Sequence, residues 1–247
     1  MILERSMDPA YLANAYLVGD RPGGHAVLVD AGGPTQTILA KIAEQRLTVT
    51  HLLCTHHHID HVQHAALYRS RLGCALCAHP LEAPFLRAVD RELTGGEELT
   101  SGELTIRALH VPGHTVGQLA FLIDGVGAFT GDTLFRRTVG GTRGPGHGTF
   151  EQLQHSILEV LLELPRPTRV HPGHMDGTTI AEEWEENPFV RLWRGADEVE
   201  ERPCNVLGEQ ATLLLRAPDY DGGTKCWVRF DDGNKLDIVP GSQVRTL

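Results

Sequence analysis

Thr55-His56-His57-His58-Ile59-Asp60-His61 follows directly on a short apolar run, residues 52–55, and sets four potential metal ligands in the pattern H-x-H-x-D-H. They are His56, His58, Asp60 and His61. The run reads as a buried strand, and a strand end opening into a helix points alternate residues at one place. Imidazole and carboxylate together suit zinc and its borderline neighbours. A solvated His-rich turn is the plain alternative. It competes poorly with the specific spacing and with the ligand-like residues that recur downstream in context.

Three such segments follow: Val111-Pro-Gly-His114-Thr115, Phe129-Thr-Gly-Asp132-Thr-Leu-Phe135, and Pro172-Gly-His174 with Asn187-Pro188 behind it. With the first stretch they resemble the metallo-β-lactamase-fold metallohydrolases, and within them the glyoxalase II (hydroxyacylglutathione hydrolase)-like branch. The resemblance runs from residue 1 to about residue 195, and the remainder to Leu247 lies outside it.

The resemblance implies an α/β chain folded as a metallo-β-lactamase-like αββα sandwich with two metal sites. Spacing and resemblance together assign His56, His58 and His114 to the first ion and Asp60, His61 and His174 to the second, with Asp132 bridging them. Asp60 and Asp132 are the carboxylates with a catalytic part. Pro-Gly-His is the family's motif, so His174 is the match and His171 its neighbour in the strand. Asp30, before Ala31-Gly32-Gly33, stands where the family supports its metal from behind, and equally suits a turn. His57 and His64 have no place in the ligand set.

Two zinc ions are the expected cofactors, with iron or manganese as alternatives. Two cations sharing a water lower its pKa toward neutrality. The expected function is therefore a dinuclear metal-dependent hydrolase that cleaves a thioester or ester by metal-bound hydroxide. A lactonase, or an iron-dependent persulfide dioxygenase using His56, His114 and Asp132, is the alternative. Asp132 stands where β-lactamases of this fold usually carry cysteine or serine, which favours the thioesterase-like branch. No serine or cysteine nucleophile is needed, and Cys54 reads as core packing.

A chain of 247 residues with 41% hydrophobic content buries a sizeable core. The net charge of −10 argues against phosphate-backbone binding and the nuclease members of the superfamily. The expected partner is a small-molecule thioester or ester, with neither nucleic acid nor membrane. The N-terminal residues have no continuous signal-peptide core. Five dispersed cysteines do not read as a disulfide framework, and a cytoplasmic location is expected. Cys74-x-x-Cys77 lacks the second pair that a zinc site needs.

Along the chain, residues 10–18 and 25–30 read as a hairpin, Pro34 opens a helix to about residue 46, and residues 61–72 and 81–92 read as helices. Asp124-Gly125 signals a second hairpin, and Thr149 with Gln152 a capping box before a helix through Leu164. Gly140-Gly141-Thr142-Arg143 departs from the Gly-Arg-x-Asp that the family often carries in the loop of residues 136–149. The run Glu182, Glu183, Glu185 and Glu186 reads as a solvated helix face. Residues 1–195 are expected to form the catalytic domain, 196–204 a polar linker, and 205–247 a small SH3-like β-barrel of strands near 211–216, 225–230 and 235–239. The barrel's partner is not legible.

Overall fold

A computed structural model describes residues 1–233 and 235–246. Contacts divide the chain into two compact units, the first made of Met1–His110, Gly117–Gly131 and Arg169–Asp176, the second of Val111–Val116, Asp132–Thr168 and Gly177–Leu247.

The first unit is an α/β sandwich. One sheet is formed by β1 (Ile2–Met7), β2 (Asn14–Gly19), β3 (His25–Val29), β4 (Thr48–Leu53), β5 (Ala75–Ala78) and β6 (Arg91–Glu92), paired in that order. The expected hairpin is β2 with β3, antiparallel with Tyr16 opposite Val29, while β3, β4, β5 and β6 run parallel. Strand period two sorts its side chains. Val18, Val27, Val29, Leu53 and Cys77 enter one core cluster. Their neighbours Leu17, Leu28, Leu52 and Leu76 enter another, with Ile38 and Ile42 of α1 (Thr35–Gln45) and Tyr68. The first cluster also takes Ile106, Phe121 and Phe129 from the second sheet. That sheet runs β7 (Glu98–Ser101), β8 (Leu104–His110), β9 (Leu119–Ile123) and β10 (Gly127–Gly131), and Arg169–Pro172 lies parallel to β10.

Two helix expectations change. Residues 61–72 form two pieces, α2 (Ile59–Val62) and α3 (Ala65–Leu72). The His64 N–H leaves the helical ladder to donate to Ala31 O at 3.1 Å. A Cβ on Gly32 would come within 1.9 Å of Asp60 O, so only glycine lets the Asp60 backbone lie so close. Residues 81–92 are not a helix. Beyond one 3₁₀ turn at Ala83–Phe85, Ala88 adopts φ 56°, which stops helical propagation before β6 begins.

In the second unit, Thr149 and Gln152 make the expected capping box for α4 (Phe150–His155), and the chain continues as a π-helix over Ser156–Leu161. The C-terminal segment is an antiparallel sheet of five strands, ordered Leu236–Pro240, Thr224–Phe230, Glu209–Pro218, Arg202–Val206 and Val244–Thr246. Among the described residues its ladder does not close into a barrel. Cys204, Leu213, Cys226, Val228, Phe230 and Val239 make its core. The sheet grips the loop of residues 136–149. Asp237 accepts from Thr142 Oγ1 at 2.9 Å and Arg143 Nε at 3.0 Å, and Lys225 Nζ donates to Val139 O at 2.8 Å. Among the described residues no helix is long and apolar enough to cross a membrane.

The acidic run is not uniformly solvated. Glu183 is fully buried and accepts from Thr178 Oγ1 at 2.7 Å, Asn187 Nδ2 at 2.8 Å and the Arg137 N–H at 2.9 Å. Burial raises its carboxyl above the usual range against the lowering pull of those hydrogen bonds. With the folded pKa above the unfolded one, its contribution to stability is present at acid pH and lost as pH rises through the folded value. Glu183→Gln is expected to raise Tm relative to wild type more at pH 8 than at pH 5, as parallel thermal melts would read.

Candidate metal centre

One carboxylate ties down the chain after β4. Asp30, 2% exposed, accepts the Thr55 N–H on Oδ1 and the Thr55 hydroxyl on Oδ2, both at 2.8 Å. Its Oδ2 also lies 3.0 Å from His61 Nδ1. The network therefore puts the His61 proton on Nδ1 and the lone pair on Nε2. Thr55 Oγ1, having given its proton to Asp30, accepts from His56 Nδ1 at 3.0 Å, so His56 too keeps its lone pair on Nε2. The two readings offered for Asp30 by the sequence thus resolve into support of the ligand loop. Asp30 itself sits at φ 57°, a left-handed conformation that aspartate tolerates.

His174 Nδ1 donates to Tyr11 O at 3.0 Å and also presents Nε2. Its turn is held by Asn14, a fully buried residue whose Nδ2 donates to Pro172 O at 3.0 Å and Met175 O at 2.9 Å, and by Tyr16, whose hydroxyl donates to Pro172 O at 2.8 Å. His61 Nε2 and His174 Nε2 stand 3.3 Å apart, with Asp60 Oδ2 at 3.6 and 3.5 Å from them. His56 Nε2 and His58 Nδ1 stand 3.1 Å apart. The donor atoms of Asp60, His61 and His174 all lie within 4.8 Å of one another. Buried acceptors aimed at each other repel unless a cation lies among them, so this donor set fits a metal.

The second unit holds His114 and Asp132, with Nε2 and Oδ2 3.6 Å apart. Gly113, at φ 142°, packs so tightly that a Cβ would meet the Leu153 backbone at 2.4 Å. Ser156 Oγ donates to Pro112 O at 2.7 Å, fixing the same turn to the helical segment. His114 Nδ1 donates to Gly141 O at 2.9 Å, which again places the lone pair on Nε2. A Cβ on Gly140 would reach 2.0 Å from Asp132 O. The Gly140-Gly141 pair thus lets the loop close on Asp132 and supplies the acceptor that orients His114.

Four of the other histidines pack on neighbouring rings instead. His171 stacks on Phe129 at 4.7 Å, and burial lowers its pKa. His57 stacks on Phe85 at 4.2 Å, and its ring meets the Glu82 carboxylate. His79 stacks on His110 at 4.5 Å. Cys54 is fully buried, and burial drives its thiol pKa well above the usual value, as core packing requires.

Glu82 was not singled out by sequence, where it fell within the expected helix of residues 81–92. It is 1% exposed; Oε2 accepts the His57 N–H at 3.0 Å and Oε1 the Gly117 N–H at 2.9 Å. Two residues before Pro84, it carries no local mark of burial. Because it holds the backbone between His56 and His58, Glu82→Gln is expected to weaken metal affinity by about tenfold, the low end for residues that orient ligands. Competition with a chromophoric chelator measures this, and an unchanged affinity would show that the loop holds itself.

Residues 8–174 match the metallo-beta-lactamase superfamily, and the chain belongs to it. An uncharacterised protein of Mycobacterium leprae is 37% identical over 206 residues, covering 72% of this chain and 93% of its own length. A hydroxyacylglutathione hydrolase of Cereibacter sphaeroides is 36% identical over 163 residues, covering 65% of this chain and 61% of the hydrolase. Among solved structures, the BLEG-1 B3 metallo-beta-lactamase superposes with TM-score 0.71 at 28% identity over 76% of this chain and 99% of its own. ETHE1 from Myxococcus xanthus gives 0.70 at 31% identity over 80% and 92%. TTHA1623 in a di-iron-bound form gives 0.66 at 35% identity over 76% and 100%.

Proposed function

We propose that the protein is a dinuclear metal-dependent hydrolase of a thioester or ester, in the manner of hydroxyacylglutathione hydrolases. His56, His58 and His114 would hold one ion and Asp60, His61 and His174 the other, with Asp132 available to both. The observation that carries this reading is the donor set: imidazoles whose far nitrogens are fixed on Asp30, Thr55, Tyr11 and Gly141. Family membership and the likeness to a hydroxyacylglutathione hydrolase support it. Bound there, two zinc ions would supply an acidified water and a Lewis acid for the carbonyl.

The chain's own part is orientation. The hydrogen bonds at each Nδ1 hold His56, His61, His114 and His174 in the tautomer that leaves Nε2 basic, and Asp60 and Asp132 bring the negative charge that two cations require. The substrate is a small molecule and the location cytoplasmic, with all five cysteines buried and free. Residues 1–195 act as the catalytic domain. The C-terminal sheet is read as an SH3-like unit packed on the loop of residues 136–149, and since Arg202–Val206 is one of its strands, the linker shortens to residues 196–201.

An iron-dependent persulfide dioxygenase is the second reading; the di-iron-bound form of TTHA1623, at 35% identity, supports it only in showing iron bound by a similar chain. Elemental analysis, with a panel of thioesters, lactones and persulfides monitored for hydrolysis and oxygen uptake, tests both. About two zinc per chain with thioester hydrolysis is expected, because seven donors exceed one tetrahedral ion. One iron per chain with oxygen consumed on a persulfide would replace the first reading by the second.

A further inference from the structure

Inside the second unit a cavity of about 300 Å³ has His114 and Gly141 at one end and residues of the C-terminal sheet around the rest. That volume is at the lower bound of small-ligand sites. The sheet's contribution is chemically specific. Tyr220 offers a half-buried ring set 4.9 Å from Phe135, and Lys225, 6% exposed, brings an ammonium to a wall it shares with Asp219, Asp221 and Arg143.

Both cations in this wall are paired. Lys225 Nζ lies 3.2 Å from Asp219 Oδ2, and Arg143 Nε donates to Asp237 Oδ2 at 3.0 Å while its guanidinium lies 4.4 Å over the Phe230 ring. Asp221, whose Oδ1 accepts the Gly223 N–H at 2.8 Å, adds a further negative charge. Such a wall disfavours a polyanion, since its cations are already compensated. It disfavours a plain alkyl chain as well, because burying these polar groups against hydrocarbon removes their water without replacing it.

We propose that the C-terminal sheet forms the specificity wall of the active site. It receives the part of the substrate remote from the reacting carbonyl and prefers an uncharged polar chain bearing amide or hydroxyl groups. The proposal rests on His114 being a metal ligand in the hydrolase reading above. It gives the sheet a task that no metal ligand supplies, and it names the class of leaving group: a thiol or alcohol on an amide-rich, uncharged arm.

Three thioesters of one acyl group test this, made with hexanethiol, pantetheine and phosphopantetheine. The pantetheine ester is expected to exceed each of the others in kcat/KM by about tenfold, the low end for one misfitted polar or apolar contact. Ser242→Trp, at an exposed position on the rim, should lower the pantetheine-to-hexyl ratio by about tenfold through KM at constant metal content. Asp221→Lys should narrow the gap between pantetheine and phosphopantetheine. Equal rates on the three esters, or ratios that neither variant moves, overturn the proposal. Calorimetric binding of N-ethylpantothenamide, which has no thiol for a metal, reads the cavity apart from turnover. Binding that Ser242→Trp weakens, in a protein that cleaves no thioester, sinks the hydrolase reading and keeps the cavity. Turnover of the pantetheine ester with no such binding sinks the cavity and keeps the hydrolase.

Discussion

Asp132→Ala is expected to lower hydrolysis by at least about a thousandfold, equivalent to about 4 kcal/mol of transition-state stabilisation, and to reduce occupancy of both metals together. The double loss follows from the carboxylate's proposed place between the ions. Removing a ligand of one site alone would leave the other ion held by its own imidazoles. Removing a shared carboxylate takes a bond from each and leaves two cations facing one another with less negative charge between them. Asp132 is 5% exposed and its backbone carbonyl is packed under Gly140, so the variant changes the donor without opening the loop. His57→Ala is the matched control, because its ring packs on Phe85 and against the Glu82 carboxylate, outside the proposed ligand set, and its N–H to Glu82 survives the change. Metal analysis and turnover measured on both variants decide the matter. Comparable losses in the two would mean that the ligand set has been assigned wrongly.

The candidate ligand types, their spacing and the strand that feeds the first of them are legible in sequence because each is local. An apolar run, a histidine triplet and a Pro-Gly turn declare themselves within a few residues. What holds the ligands is not local. Asp30 is 25 residues before Thr55, Asn14 more than 150 before Pro172, and Glu82 meets Gly117 across 35 positions. No period in the sequence links such pairs, so Asn14 reads only as a polar interruption in an apolar run and Glu82 as one residue of an expected helix. The burial of Glu183 escapes for the same reason, since the groups that satisfy it come from Arg137 and Thr178 as well as from its own helix. The extra strands Arg202–Val206 and Val244–Thr246 were hidden differently. Each is short and rich in polar residues, the first also containing Pro203, and each is fixed by its partner strand rather than by its own propensity.

Truncation after Glu201 is expected to lower Tm by at least about 10 °C and to cost the protein the metal held by His114, although no proposed ligand lies in the part removed. The sheet supplies the Asp237 carboxylate, 1% exposed, on which Thr142 and Arg143 are hung, and the Lys225 ammonium bound to Val139 O. It also supplies Trp227, whose ring stacks on Phe150 at 5.4 Å and meets Trp193 edge-on at 6.3 Å. Gly141, whose carbonyl fixes the His114 tautomer, sits immediately before Thr142. Without the sheet that carbonyl has no fixed position, and a ring free to turn binds its metal less tightly. A truncated chain that fails to fold would leave this chain of cause unread, so the full-length variant Asp237→Ala carries the same test. Breaking a buried ion pair from one side costs about 3–5 kcal/mol, and in a protein of this size that is a fall of about 10 °C in Tm. With the variant still folded at 25 °C, metal analysis should show one site weakened and the other retained. If Asp237→Ala melts lower yet keeps both metals at wild-type affinity, the loop holds His114 without the sheet, and the C-terminal segment is an appendage that the metal centre does not need.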